Sequence, residues 1–413
     1  MIRKIISSLC LLLSLASFAQ EGTSSPYSLY GIGDVRFKGT VESRSMAGVQ
    51  VEQDSIHINL DNPASFSNLK LTTFTVGGTY NQTTLKNDSG SEKAKRTTFD
   101  YLAVGLPMGK LGVGFGLIPY SSVGYKVSSV ENDVNSRDFG NGGLNKAFFA
   151  LSYKVAPSFS VGANVEYNFG HIETTAMQYI NGVALGSLEL NKADLSGVNF
   201  NFGAMYQAKL NEKLNFFSSL SYKLEGNLGS SNSRSISAVS YNSNFEYSEV
   251  ETSEEETFSR DLTLPSELKI GVGIGETRKW LIGAQFATAS KGDLANTYNT
   301  KPNVSYDKAM KYSLGGYFIP DHDSFTSYFK RIVFRAGLKY EETGLIVNSE
   351  SIKDAGFSFG LGLPVTGSFS NINFGFEYGK RGTTSAGLIQ ENYAKFSVGL
   401  SLNDRWFVKR KFD

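Results

Sequence analysis

Apolar and polar residues alternate with a period of two along most of this chain. In "SFSVGANVEYNF", Phe159, Val161, Ala163, Val165, Tyr167 and Phe169 share one face, and Ser160, Gly162, Asn164, Glu166 and Asn168 share the other. Val198, Phe200, Phe202, Ala204 and Tyr206 repeat the pattern, as do Ile372, Phe374, Phe376 and Tyr378. That period is the mark of a strand with one apolar and one polar side. It predicts fourteen strands, near 71–83, 95–106, 111–118, 144–155, 158–171, 195–209, 213–226, 264–275, 278–289, 309–319, 329–341, 355–363, 370–380 and 391–402.

A soluble sandwich would alternate in the same way, so the connections decide. Long gaps (84–94, 119–143, 172–194, 227–263, 290–308, 342–354, 381–390) mostly alternate with short ones (107–110, 156–157, 211–213, 276–277). The turns at 320–328 and 364–369 follow that rule less tightly. Short turns at one end, long loops at the other and an even strand number are what an outer-membrane barrel requires. Closure also removes the unpaired strand edges that lipid cannot satisfy. No stretch after the first residues reaches the apolar length of a membrane helix. The expectation is an all-β chain, a fourteen-stranded antiparallel transmembrane β-barrel over 71–402.

Composition agrees. Gly (43), Phe (30) and Tyr (21) are abundant among the 413 residues, as strands joined by turns demand. A net charge of +1 gives no field for a nucleic acid. Arg3 and Lys4 precede an apolar run that ends in small residues, Ser17 and Ala19, which predicts a secretory signal peptide over 1–19 and a destination in the cell outer membrane. Cys10 lies within that run, so the mature chain is expected to have no disulfide, no lipid anchor and no Cys-based metal site. No cofactor is expected. "DHD" (321–323) reads as a solvated turn, and "NDVNSRDFGNGG" (132–143) departs from a calcium loop at Arg137. Nothing marks an enzyme.

Residues 20–70 fit no such strand, and a polar cylinder of fourteen strands is too wide for its side chains to fill. The segment is therefore expected to fold inward as a hatch, with Asn62, Pro63 and Ala64 as the corner where it turns and enters the wall, because proline fixes its own φ and keeps its predecessor extended. At this point the chain resembles the FadL-type outer-membrane transporters of hydrophobic compounds. The resemblance rests on "MAGVQVEQDSIHINLDNPASF" (46–66), on "LPSELKIGVGIGETRKWLIGAQF" (264–286), and on the strand count. It implies a barrel stoppered by an N-terminal hatch, with hydrophobic substrate crossing an inner pocket and leaving in part through the wall. In the family a kink in the third strand opens the wall. Here "LGVGFGLIPY" puts Gly112, Gly114 and Gly116 on the inner face and Pro119 behind them, as a lateral gate or as room for the hatch.

Inner charges are the other candidates. Arg331, Arg335 and Lys339 are expected on one strand face, either to receive a ligand carboxylate or to pair with Glu341, Glu377 or a hatch carboxylate such as Asp61. Phe148, Phe217 and Leu281 are expected to face inward. The acidic run around Glu254, Glu255 and Glu256 reads as a solvated outer loop, with cation-bridged contact to lipopolysaccharide as the sharper reading. Trp406 and Phe407 suit an interfacial girdle, and Lys409, Arg410 and Lys411 a basic periplasmic tail (403–413). The leading function is passive uptake of hydrophobic or amphipathic small molecules such as long-chain fatty acids, in contact with outer-membrane lipid. The alternative implied by the resemblance is an interaction subunit, with a type IX secretion channel or a periplasmic protein as partner.

Overall fold

The computed structural model describes residues 23–35, 38–131, 133–241, 247–292 and 303–406. The predicted leader and Phe407, Lys409, Arg410 and Lys411 lie outside the described residues. Fourteen antiparallel strands close into a ring. They are β1 (Thr72–Asn87), β2 (Gly90–Met108), β3 (Leu111–Pro119 continuing as Ser121–Glu131), β4 (Val134–Ala156), β5 (Phe159–Ile180), β6 (Leu185–Lys209) and β7 (Asn215–Lys223 continuing as Gly226–Tyr241). The rest are β8 (Glu256–Leu264 continuing as Glu267–Glu276), β9 (Trp280–Ala289), β10 (Ala309–Phe318), β11 (Val333–Val347), β12 (Glu350–Pro364), β13 (Asn371–Arg381) and β14 (Gln390–Asp404). β1 pairs with both β2 and β14, and this closes the wall.

The two faces are inverted relative to a soluble protein. Leu151, Phe200, Val272, Ile282, Leu314, Leu338 and Phe359 point outward and are exposed, whereas Asn164, Glu166, Asn201, Arg335, Glu377 and Ser397 are buried inside. An apolar exterior around a polar interior is stable only with lipid as the outer solvent. Phe148, Phe217 and Leu281 do face inward.

The strands run further than the alternation predicted. Most of 84–94, 119–143 and 172–194, expected as loops, is hydrogen-bonded ladder in β1–β6. The apolar face ends where the strand leaves lipid, but the ladder needs only a partner strand, so it continues into water. Two boundaries also shift. β14 reaches Asp404, placing Asn403 and Asp404 in the wall opposite Thr73 and Thr72. Arg331 closes a 3₁₀ turn, Tyr328–Arg331, ahead of β11 and is not part of the strand.

Candidate functional site: the filled lumen and the break in the wall

The N-terminal segment is held from all sides of the ring. A single helical turn, Val41–Arg44, is capped by the Thr40 side chain, which accepts from the Ser43 amide. The Val41 amide donates to the Tyr101 hydroxyl of β2 (3.1 Å), and Arg44 pairs with Asp100 (2.8 Å). Lys38 pairs with Glu341 of β11 at 3.1 Å and Asp354 of β12 at 3.6 Å. Asn373 of β13 donates to Glu42 (2.7 Å), Tyr317 of β10 to Glu52 (2.7 Å), and Lys269 of β8 to Asp61 (2.7 Å).

Asn62 caps the 3₁₀ turn Pro63–Asn68, its Oδ1 accepting from the Ala64 amide at 3.0 Å. Its Nδ2 donates to Ser219 Oγ (2.9 Å) and to the carbonyls of Leu220 (2.9 Å) and Ala204 (3.1 Å). The Asn-Pro-Ala corner is thus seated on β5–β7, and the chain joins the wall only at Thr72, after the six-residue turn Pro63–Asn68. Glycines make the seat. A Cβ on Gly203 would stand 2.0 Å from Asn62 Oδ1, and one on Gly162 2.6 Å from the Pro63 carbonyl carbon.

Two glycines of β3, Gly112 and Gly114, serve the same packing, whereas Gly116 lies against β2. A Cβ on Gly112 would meet the Phe66 backbone at 2.2 Å, one on Gly114 the Phe66 ring at 2.2 Å, and one on Gly116 the Leu102 carbonyl at 2.3 Å. The break lies just beyond them. β2 bonds to β3 only between Leu102–Met108 and Leu111–Leu117. Among the described pairings, Gly90–Phe99 of β2 bond to β1 alone, and the upper half of β3 bonds to β4 and to a two-residue strand, Asp34–Val35. Pro119 has no N–H to continue the ladder. Tyr120 donates to the Leu144 carbonyl (2.8 Å), and opposite it Gly142 (φ +106°) and Gly143 (φ +150°) take up the extra residue. The sequence reading missed these two glycines, although "NGG" (141–143) within an alternating run was their signal.

Residues 23–35 occupy the break. The Ile32 carbonyl accepts from Ser121 Oγ (2.7 Å), Ser28 Oγ accepts from the Gly124 amide (3.2 Å), and the Thr23 carbonyl accepts from Arg96 Nε (3.4 Å). Ile32 packs with Val123, Tyr125 and Leu144. Among the described residues one ion pair, Asp34 to Arg381 at 2.7 Å, the Ser25–Glu391 hydrogen bond and the bond from the Tyr27 hydroxyl to the Ile389 carbonyl (2.7 Å) fasten this strap to β13 and the start of β14.

Two cavities flank the plug. One of about 260 Å³ lies toward the long hairpins, with Tyr30, Ile32, Met310 and Leu345 above Lys311 and Lys269. The other, about 400 Å³, lies at the short-turn end, between Met46, Val51, Leu281 and Ile319 and the side chains of Arg331 and Arg335. The predicted basic ladder is divided. Arg335 donates to Asn373 (3.0 Å), which in turn holds Glu42 of the plug. Lys339 pairs with Asp354 (3.2 Å), and Arg331 stacks on Tyr328, 5.5 Å from the ring centroid. Asp61 is held by Lys269, not by this ladder. Burial, then the Asp54 charge, pushes Glu52 up to about 7 against its Tyr317 bond. Burial opposes ionisation of Asp54 too, but the His57 charge and hydrogen bonds override it and hold Asp54 near 2.

A family model, BamG, matches residues 1–413. The chain belongs to the BamG family. Solved structures share the fold of this BamG-family barrel at low identity. The toluene transporter TodX of Pseudomonas putida is 16% identical with a TM-score of 0.57, over 90% of this chain and 98% of that one. A Pseudomonas aeruginosa FadL homologue is 12% identical with a TM-score of 0.59, over 90% and 100%. The toluene transporter TbuX of Ralstonia pickettii is 12% identical with a TM-score of 0.54, over 94% and 99%. The architecture is therefore FadL-type. No curated protein matches the chain.

Proposed function

We propose that this barrel takes up hydrophobic or amphipathic small molecules across the outer membrane, by a lateral route. The observation that carries the reading is the unpaired stretch of wall between β2 and β3, where the strap 23–35 pairs with β3. Magnitudes favour that route over the lumen axis. Orphaning one partner of a buried ion pair costs about 3–5 kcal/mol. Lifting the plug would break the pairs of Lys38, Arg44 and Asp61, whereas among the described residues the strap carries one ion pair, that of Asp34, beside its hydrogen bonds. A molecule in the outer cavity, its apolar part against Ile32 and Leu345 and its polar end toward Lys311, would reach lipid once the strap moves aside. The toluene transporters that share the fold are in keeping with this class of cargo.

A second reading, a partner subunit of an outer-membrane protein complex such as a type IX channel, is favoured by the short-turn end. There Phe325 is fully exposed and Phe329 is 76% exposed, beyond the strands and on the same turn. Mass spectrometry of the detergent-purified barrel separates the two. Uptake predicts a bound apolar or amphipathic molecule that is lost when Ile32 is replaced by Trp. A stoichiometric protein partner without such a molecule would overturn uptake.

A further inference from the structure

The outward face carries an asymmetry that neither the plug nor the wall break uses. Strand register sets side chains of β13, β14, β1 and β2 in rows around the barrel. One row runs Lys380, Asn392, Thr84, Lys93, and the next toward the membrane runs Tyr378, Ala394, Gln82, Lys95. The third runs Phe376, Phe396, Tyr80, Thr97. Lys86, opposite Gln390, stands one row further out. Rows on one face are about 7 Å apart along a strand. Four exposed lysines therefore crown an aromatic girdle in which Phe376 and Phe396 lie 5.0 Å apart and Phe357 and Tyr378 5.7 Å apart. That is headgroup depth, since aromatic girdles mark the membrane interface.

Among the described residues, no carboxylate lies within 4.0 Å of Lys86, Lys93, Lys95 or Lys380. Glu342, an outward carboxylate of the neighbouring sector, is taken by Lys353 at 3.6 Å. The wall at β5–β6 differs: at similar outward positions His171 meets Asp194 (2.8 Å) and Glu173 stands opposite Lys192. Among the described residues the charge of these rows is thus one-sided and without a paired carboxylate.

We propose that the β13–β14–β1–β2 sector binds the phosphate groups of a multiply acylated, phosphorylated glycolipid of the outer leaflet. The four ammonium groups and the amides of Asn392, Gln390 and Gln82 meet the headgroup, and the acyl chains lie over the aromatic rows below. The inference rests on the outward apolar band and is independent of what the barrel carries.

Native mass spectrometry of the full-length barrel in neutral detergent tests it, with diphosphoryl lipid A and its dephosphorylated form as probes. The wild type is expected to retain the diphosphoryl form preferentially, and K86Q/K93Q/K95Q/K380Q to lose that preference. About fivefold per lysine is the expected scale, a juxtamembrane charge contributing about 1 kcal/mol. Replacing the same four residues by Arg should preserve retention, and Lys192→Gln on the opposite wall should change nothing. Equal retention of the two lipids by the wild type would overturn the proposal without any variant. So would unchanged retention by the four-Gln variant, an equal loss in Lys192→Gln, or displacement by inorganic phosphate at concentrations equal to the lipid.

Discussion

Asn62 shows how one side chain sets a local fold. Its carbonyl oxygen caps a turn while its amide nitrogen reaches three acceptors on β6 and β7, so both ends are used. Asn62→Ala orphans buried acceptors and removes a cap, a loss of roughly 2 kcal/mol. Thermal unfolding followed by gel mobility should show the lowered midpoint. The chemistry of this corner was legible in "DNPAS", but its seat was not, because the receiving glycines, Gly162 and Gly203, come a hundred residues or more later. Glu52 gives the pH dependence. A carboxyl raised from 4.5 to about 7 stabilises the seated plug fully below pH 4.5 and loses that contribution as pH rises through 7. His57, also raised, acts in the same direction, whereas Asp54, depressed to about 2, contributes throughout the range above pH 3.8. Hydrogen exchange should show protection over residues 50–58 falling between pH 5 and 8, and Glu52→Gln should flatten that fall.

β3 is where pattern reading succeeded and then ran out. Alternating glycines and a terminal proline announced an irregular strand, and the observed break follows Pro119 directly. The half of the device on β4 was hidden because Gly142 and Gly143 lie in a polar run that looked like loop. A side chain on Gly143 would stand 2.4 Å from the Ser121 carbonyl oxygen, in a φ region costly for any other residue. Gly143→Val should therefore shift Ser121, weaken the Asp34–Val35 pairing, and make residues 23–35 more sensitive to added protease. Pro119→Val restores a donor at the break. Uptake should fall if the break is the exit, and an unchanged rate would remove that role from β3.

At the scale of the molecule, the inverted faces decide everything else. They were readable because lipid imposes an outer apolar row on every strand, whereas water-exposed ladder imposes none. That is why the membrane-crossing strands were predicted and the tall hairpins were not. Val272→Arg, on the outward face, should cost about 2–4 kcal/mol if it sits near the bilayer midplane, and heat-modifiable monomer in the outer membrane should drop accordingly. The central claim is that a strap of the chain's own N-terminal segment fills the unpaired stretch of wall between β2 and β3, and that cargo passes when it moves. Val35 and Ser121 are register partners across that contact, so Val35→Cys with Ser121→Cys allows a disulfide to fix the strap in place. Uptake of labelled oleate by cells carrying the double variant should stop on oxidation and return on reduction, with the wild type unaffected by either treatment. Equal uptake in the oxidised and reduced states would contradict the account.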